Sequence, residues 1–381
     1  MANARHRERV LGALLGVAVG DCLGTPLAGL DEATIRRRHG IVSKYLAERP
    51  IWSSVTQQAL TLVEATGRRG SADPSWVGRR WVEMALAREG LPNGTHRGAH
   101  PAFVETIAAL RRGGDWRSCG HVECAGCANA VRIVPIATAL AQETDDGLAA
   151  MITDDSLVTH RELRGISAGL AAGWVASRLR REPGYPIPAA RGRALLEELA
   201  AWLRKREEIL ASEIAGVWVA LPSHVHDVSI TLGGLAARFD EGWPIERRWV
   251  ERYASARLGR PAHSTEDCAL CVVPAALAIV LGSERRFEET LISAVNLGHD
   301  AGTLGALVGG LAGAAGGVSA IPTRLRHIEG RAPLTAWGDA LACRTAPDTS
   351  APCDCPGLED LPDVPELEAR LSLLAESNQP A

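Results

Sequence analysis

The sequence predicts an all-α fold, and three observations carry that prediction. Apolar residues recur at spacings of three and four through ten segments, the period of a helix with one face in a core. Ala and Leu, both strong helix formers, are abundant in those segments. Strand-type alternation is scarce. The segments are 8–19, 57–66, 76–88, 101–112, 131–142, 165–180, 191–211, 243–257, 272–281 and 303–316. Between them fall turn signals such as Pro92-Asn93-Gly94 and Pro183-Gly184-Tyr185-Pro186. No repeat of fixed period is evident, so one helical domain over 1–344 is expected.

The first segment imitates a secretory leader, because Arg5, Arg7 and Arg9 precede the apolar run Val10 to Val19. Gly12, Gly16 and Gly20 interrupt that run and Asp21 ends it, which suits a close-packed helix leading into a functional turn. The last segment belongs to an uncharged stretch, Thr303 to Pro322, about long enough to span a bilayer. Its glycines, among them Gly305, Gly309 and Gly313, favour a tightly packed helix over a lone lipid-facing span. From Thr345 to Ala381 the chain turns proline-rich and acidic, with Arg370 its only basic residue. This tail is expected outside the main core, with a short helix over Pro365–Glu376.

The chain has 381 residues, 46 % of them hydrophobic, and a mean hydropathy near zero, the description of an ordinary globule with a sizeable core. Lys plus Arg number 41 against 45 Asp plus Glu, a net charge of −4, which gives no electrostatic reason to expect nucleic acid or an anionic membrane. A small-molecule ligand and a cytoplasmic setting are the expectation. Nine cysteines, an odd number without a persuasive leader, point to thiols kept for ligation or packing in a reducing compartment.

Four ordered islands carry a family resemblance. The first is Gly12-Ala13-Leu14-Leu15-Gly16-Val17-Ala18-Val19-Gly20-Asp21-Cys22-Leu23-Gly24; the second runs from His100 through Gly126-Cys127-Ala128-Asn129-Ala130-Val131-Arg132; the third is Val158-Thr159-His160. The fourth is Asn296-Leu297-Gly298-His299-Asp300-Ala301-Gly302-Thr303-Leu304-Gly305-Ala306. In this order they resemble the ADP-ribosylglycohydrolase family over nearly the whole body of the chain, which implies its compact helical fold. The resemblance also implies a ligand cleft bordered by Ser53, His160 and Thr303.

Members of that family bind two magnesium ions through a Thr-Asp-Asp triplet and an Asp-x-Asp-Thr motif, since two adjacent dications need several hard carboxylate ligands. The triplet matches Ser53-Ser54-Val55 here, and the second aspartate of the later motif is Gly302. Asp300 and Thr303 remain. A magnesium pair is therefore not expected. Asp300, with His299 beside it, is the candidate acid or base, although an Asp in that place also serves as a helix cap.

Cysteines stand on the matching segments. Cys119, Cys124 and Cys127 follow C-x4-C-x2-C, and Cys268 and Cys271 form a second C-x2-C. Two such pairs suit a four-thiolate zinc site or an iron-sulfur cluster. The resemblance places Cys124, Cys127, Cys268 and Cys271 beside one cleft. The alternative is that each is a small buried apolar residue, as Cys22 is expected to be. His121 is a possible extra ligand, His224-Val225-His226 reads as a surface feature, and Cys353 and Cys355 join a site only if the tail folds back. The leading expectation is an enzyme on this scaffold acting on a nucleotide, ribosyl or similar compact polar ligand, with a cysteine-bound zinc or iron-sulfur centre. The alternatives are a catalytically silent binding protein and a conventional hydrolase with a reduced metal site at Asp300.

Overall fold

The computed structural model describes residues 2–87, 96–122, 125–140, 143–213, 224–346 and 355. Among them the chain is helical throughout, and the only ladder contacts are two isolated bridges, Asp31 with Gly298 and His121 with His160. The first eight helices are α1 (Ala2–Gly24), α2 (Glu32–His39), α3 (Ser54–Arg69), α4 (Pro74–Leu86), α5 (Pro101–Arg111), α6 (Trp116–Cys119), α7 (Ala128–Ala139) and α8 (Asp145–Thr159). The remainder are α9 (Leu163–Leu179), α10 (Ala189–Glu213), α11 (Asp227–Ala236), α12 (Trp243–Leu258), α13 (Val272–Gly282), α14 (Phe287–Val295), α15 (Ala301–Gly316) and α16 (Arg331–Arg344).

Each of the ten segments read from periodicity coincides with a helix. Six helices did not announce themselves, for identifiable reasons. Four-residue α6 and eight-residue α2, with Ile35 its one buried apolar side chain, are too short for a periodic signal. Helix α8 buries Asp155, Ser156 and Thr159 where a core helix would show apolar residues, so its pattern is broken by polar groups that other polar groups satisfy.

The centre of the molecule is an antiparallel pair, α1 against α15, surrounded by α7, α3, α16, α13 and α14. Glycines four apart make the pairing possible. A β-carbon on Gly16 would overlap the carbonyl oxygen of Gly309, and one on Gly20 that of Gly305, so the two backbones touch where side chains would ordinarily hold them apart. Helix α1 is long and apolar enough to cross a membrane, yet 94 % of its most apolar window is buried inside the protein. Its apolar surface is satisfied by α15 and the neighbouring helices.

This close pair also sets the site, because Asp21 lies near the C-terminal end of α1 and Asp300 caps the N-terminus of α15. Of the tail, the Pro365–Glu376 helix and Cys353 lie outside the described residues. Cys355 is buried against Gly67 of α3. Cys343 is disulfide-bonded, which departs from the expectation that all the thiols stay reduced.

Candidate functional site

A cleft of about 310 Å³ opens at one end of the central pair. Its walls come from helix ends: Thr25 after α1, Ser53 to Val55 at the start of α3, His100 to Phe103 at the start of α5, Gly126 to Ala128 at the start of α7, Thr159 and His160 at the end of α8, and Asp300 to Thr303 at the start of α15. Four helix N-termini thus border one cavity, and their unpaired N–H groups favour oxygen-rich or anionic ligand groups. Side chains cap three of them: Ser53 accepts from Val55 N–H at 3.2 Å, His100 from Ala102 N–H at 3.2 Å and Asp300 from Thr303 N–H at 3.3 Å. Helix α7 has no side-chain cap. A larger, more open groove of about 670 Å³ along α4 to α6 carries Arg79, Arg111 and Arg117 but none of these helix-end groups.

Asp21 is the hub beneath the cleft. Fully buried, it accepts hydrogen bonds from the Ser53 N–H at 2.8 Å, the Ser53 hydroxyl at 3.1 Å, the Thr56 hydroxyl at 2.6 Å and the Thr25 hydroxyl at 2.6 Å. Burial raises its pKa and these donors oppose the rise. Ser53 is therefore fixed by α1 and presented to the cavity.

Two carboxylates face the cavity. Asp267, in the loop before α13, accepts from the Cys127 N–H at 2.9 Å, and the neighbouring Ala269 N–H donates to the Ala125 carbonyl at 2.7 Å. These bonds zip the loop to the start of α7. Asp300 is half-buried, and its pKa is pushed up to about 7, first by burial and then by the charge of Asp267, with Asp21 adding to the rise and the Thr303 bonds opposing it. Burial also raises Asp267, although its side chain keeps solvent access through the cleft.

On the α8 side, Arg132 is fully buried and donates from Nε to both Asp155 carboxylate oxygens, at 2.9 and 3.1 Å, and from Nη1 to Gln58 at 3.0 Å and Thr159 Oγ1 at 2.9 Å. Thr159 Oγ1 also shares a hydrogen bond of 2.7 Å with His160 Nδ1; with the hydroxyl as donor the ring hydrogen lies on Nε2 and can serve a ligand oxygen. Burial first, then the Arg132 charge, lowers the His160 pKa to about 3, so the ring is neutral at physiological pH. Arg132→Met should cost about 3–5 kcal/mol in urea denaturation, because Asp155 is left buried without its partner. Adding Asp155→Asn should recover part of that loss, and a cost under about 1 kcal/mol for the single variant would contradict the assigned role.

With this geometry in place, comparison with known proteins decides the lineage. The ADP-ribosylglycohydrolase family model matches residues 2–350. The chain belongs to the ADP-ribosylglycohydrolase family. It is 23 % identical to the uncharacterized protein YegU of Escherichia coli K12 over 335 residues, covering 84 % of this chain and 91 % of YegU. It is 28 % identical to an uncharacterized protein of Archaeoglobus fulgidus over 324 residues, covering 83 % and 90 %. A solved structure described as an ADP-ribosylglycohydrolase-related protein complex superposes with a TM-score of 0.64 at 25 % identity, covering 90 % of this chain and all of that one.

For a member of this family the donor set is unusual. The positions expected to carry the magnesium triplet, Ser53, Ser54 and Val55, do line the cleft with Asp300, Gly302 and Thr303. They supply hydroxyls and a methyl-bearing side chain, and Ser53 already serves Asp21 and the start of α3. Among the described residues, Asp267 and Asp300 are the carboxylates lining the cavity, too few hard anionic ligands to neutralise two adjacent dications. The described residues do not fit a magnesium pair.

Of the other residues singled out in the sequence, His160, Thr303 and Cys127 line the cleft. His299 does not. Its backbone is clamped, N–H to the Leu30 carbonyl at 2.7 Å and carbonyl to the Gly29 N–H at 2.8 Å, with φ at 56°. The ring stacks on His263 at 4.2 Å and is not among the residues lining this cavity. Cys268 and Cys271 are buried beside the cleft with Glu266, the three donor atoms lying within 4.8 Å of one another. Cys119 ends α6 against Gly114 and is not part of that group, and Cys124 lies outside the described residues. His121 pairs with Glu105 at 3.2 Å, His224 with Asp227 at 3.3 Å and His226 with Glu207 at 3.6 Å.

Sequence reasoning missed Asp267, and it gave Asp21 no role. Asp267 had a signal, an acidic Glu266-Asp267 pair directly before the C-x2-C. The metal-like spacing begins one residue after that acid and marks the cysteines alone.

Proposed function

We propose that this chain is a hydrolase of ribosyl or nucleoside conjugates, cleaving a glycosidic bond by carboxylate acid–base catalysis. The observation that carries the reading is the pair Asp267 and Asp300 facing one cavity in a family named for glycosidic cleavage. The charge of Asp267 is one of the causes that raise Asp300, and a pair in which one carboxyl holds its proton more firmly than the other is what an acid and a base need. In the proposed step Asp300 gives its proton to the leaving group as the anomeric carbon–heteroatom bond breaks. Asp267 takes a proton from the water whose oxygen forms the new bond to that carbon. The products are the free sugar hydroxyl and the protonated leaving group.

The remaining cleft residues bind and orient. His160 Nε2–H donates to a sugar oxygen, Thr303 offers its hydroxyl, and Ser53, whose hydroxyl is already given to Asp21, shapes the wall beside them. A volume of about 310 Å³ is at the low end for small-molecule sites, which suits one enclosed ribosyl or nucleoside moiety with the rest of the ligand reaching outward. The burial of α1 supports a protein working in the aqueous phase, and we place it in the cytoplasm.

The test is a panel of ADP-ribosyl and nucleoside conjugates assayed for hydrolysis, with thermal stabilisation by ADP-ribose measured in parallel. Turnover lost in Asp267→Asn while the ligand still stabilises the fold supports the reading. Stabilisation without turnover of any conjugate would make the chain a silent binding protein. Neither stabilisation nor turnover would remove the ligand class as well.

A further inference from the structure

The thiols beside the cleft form a site that the proposed reaction does not use. Cys268 and Cys271 are 4 % and 0 % exposed, and a tight turn folds them toward each other: the Cys271 N–H donates to the Cys268 carbonyl at 2.8 Å and the Val272 N–H to the same oxygen at 3.0 Å. The turn brings both sulfurs beside the Glu266 carboxylate.

Glu266 completes a compact donor set, its carboxylate oxygen and the two sulfurs lying within 4.8 Å of one another. It is held in place by Arg260, at 2.9 and 3.2 Å, and by the His263 N–H at 3.2 Å. Donors spaced like this bracket a single tetrahedral ion, whose metal–sulfur and metal–oxygen bonds are about 2.3 and 2.0–2.2 Å. Two thiolates and one carboxylate leave one negative charge around a dication, and the Arg260 and Arg164 charges act on this pair of sulfurs.

We propose that Cys268, Cys271 and Glu266 hold one zinc ion beside the cleft, with the fourth position open to the thiol of Cys127. Cys127 begins α7 and lines the cavity, and its N–H is bonded at 2.9 Å to Asp267, which lies between two of the ligands. Zinc suits the described set of two thiols and a carboxylate because it accepts mixed sulfur and oxygen ligands in tetrahedral sites. The ion would tie the loop 266–271 to the start of α7, the same two segments joined by the Cys127–Asp267 and Ala269–Ala125 hydrogen bonds. Its role is to hold Asp267, which sits between two of its ligands. The claim concerns metal binding alone, so its failure leaves the proposed reaction untouched and the converse also holds.

The test is titration of the reduced full-length chain with cobalt(II) under anaerobic conditions, read by thiolate-to-cobalt charge transfer and the visible bands of tetrahedral cobalt. One equivalent should bind and be displaced by zinc. Cys268→Ser and Cys271→Ser should each weaken binding on the order of 100-fold or more, Glu266→Gln less, and Cys119→Ser not at all. The wild-type titration stands even where a cysteine variant folds poorly, and Glu266→Gln then carries the residue assignment. Absence of the charge-transfer band in the wild type would overturn the site. So would a band that survives all three substitutions, or iron with acid-labile sulfide in anaerobically purified protein.

Discussion

Asp300→Asn is expected to melt at a higher temperature than the parent chain at pH 8 and to lose about 10²–10⁴-fold in turnover. The stability gain follows from linkage. The folded-state pKa of Asp300 is pushed up to about 7 from an ordinary 3.8 by burial and by the charges of Asp267 and Asp21, against the Thr303 bonds. A group with a raised folded pKa has its favourable contribution intact below pH 3.8 and loses it as pH climbs through 7. At pH 8 the wild-type fold carries a half-buried, ill-solvated carboxylate that the unfolded chain does not, at a cost of roughly 1–3 kcal/mol. Asn removes the charge and keeps the cap on Thr303, since Asn and Asp cap equally well. Melting curves at pH 5 and pH 8 should show a clearly larger advantage at the higher pH, since part of the window between 3.8 and about 7 is already crossed at pH 5. Equal melting temperatures at pH 8 would show that Asp300 is well solvated and would remove it as the proton donor.

Gly16→Ala should cost about 2–3 kcal/mol, and Gly16→Val should leave little folded protein. At an exposed helix position the Ala change would stabilise by about 1 kcal/mol, so a loss isolates packing from propensity. The β-carbon would overlap the Gly309 carbonyl, and relief requires α1 and α15 to separate along their length. The same separation would move Asp21 and Asp300, which sit at the cleft end of this pair, so residual folded protein should also bind ligand poorly. Gly184, where a β-carbon meets nothing within 4 Å, is the control, with an expected change from Gly184→Ala within about 0.5 kcal/mol. Denaturant midpoints for the two alanine variants decide the matter, and similar midpoints would contradict the close-approach account.

The reach of the sequence can be traced through particular residues. Helices with a continuous apolar face, such as α9 and α13, were plain from spacing, whereas α8 was hidden because Asp155 and Thr159 occupy core positions in the service of Arg132. A partner so distant in sequence leaves no local signal. The cleft-lining residues Ser53, His160, Asp300 and Thr303 stood on recognisable motifs. Asp267 did not, since its meaning lies in a hydrogen bond to Cys127 across 140 positions. His299 adjoins Asp300 in the sequence, yet its backbone is left-handed and its ring stacks on His263, a placement that adjacency does not reveal.

Catalysis by Asp267 and Asp300, as proposed, needs no magnesium pair. The hydrolysis rate of an accepted conjugate, measured before and after free magnesium is removed by gel filtration and then restored, should stay the same throughout and fall about 10²–10⁴-fold in Asp300→Asn. A rate that vanishes without magnesium and returns with it would rule the carboxylate mechanism out.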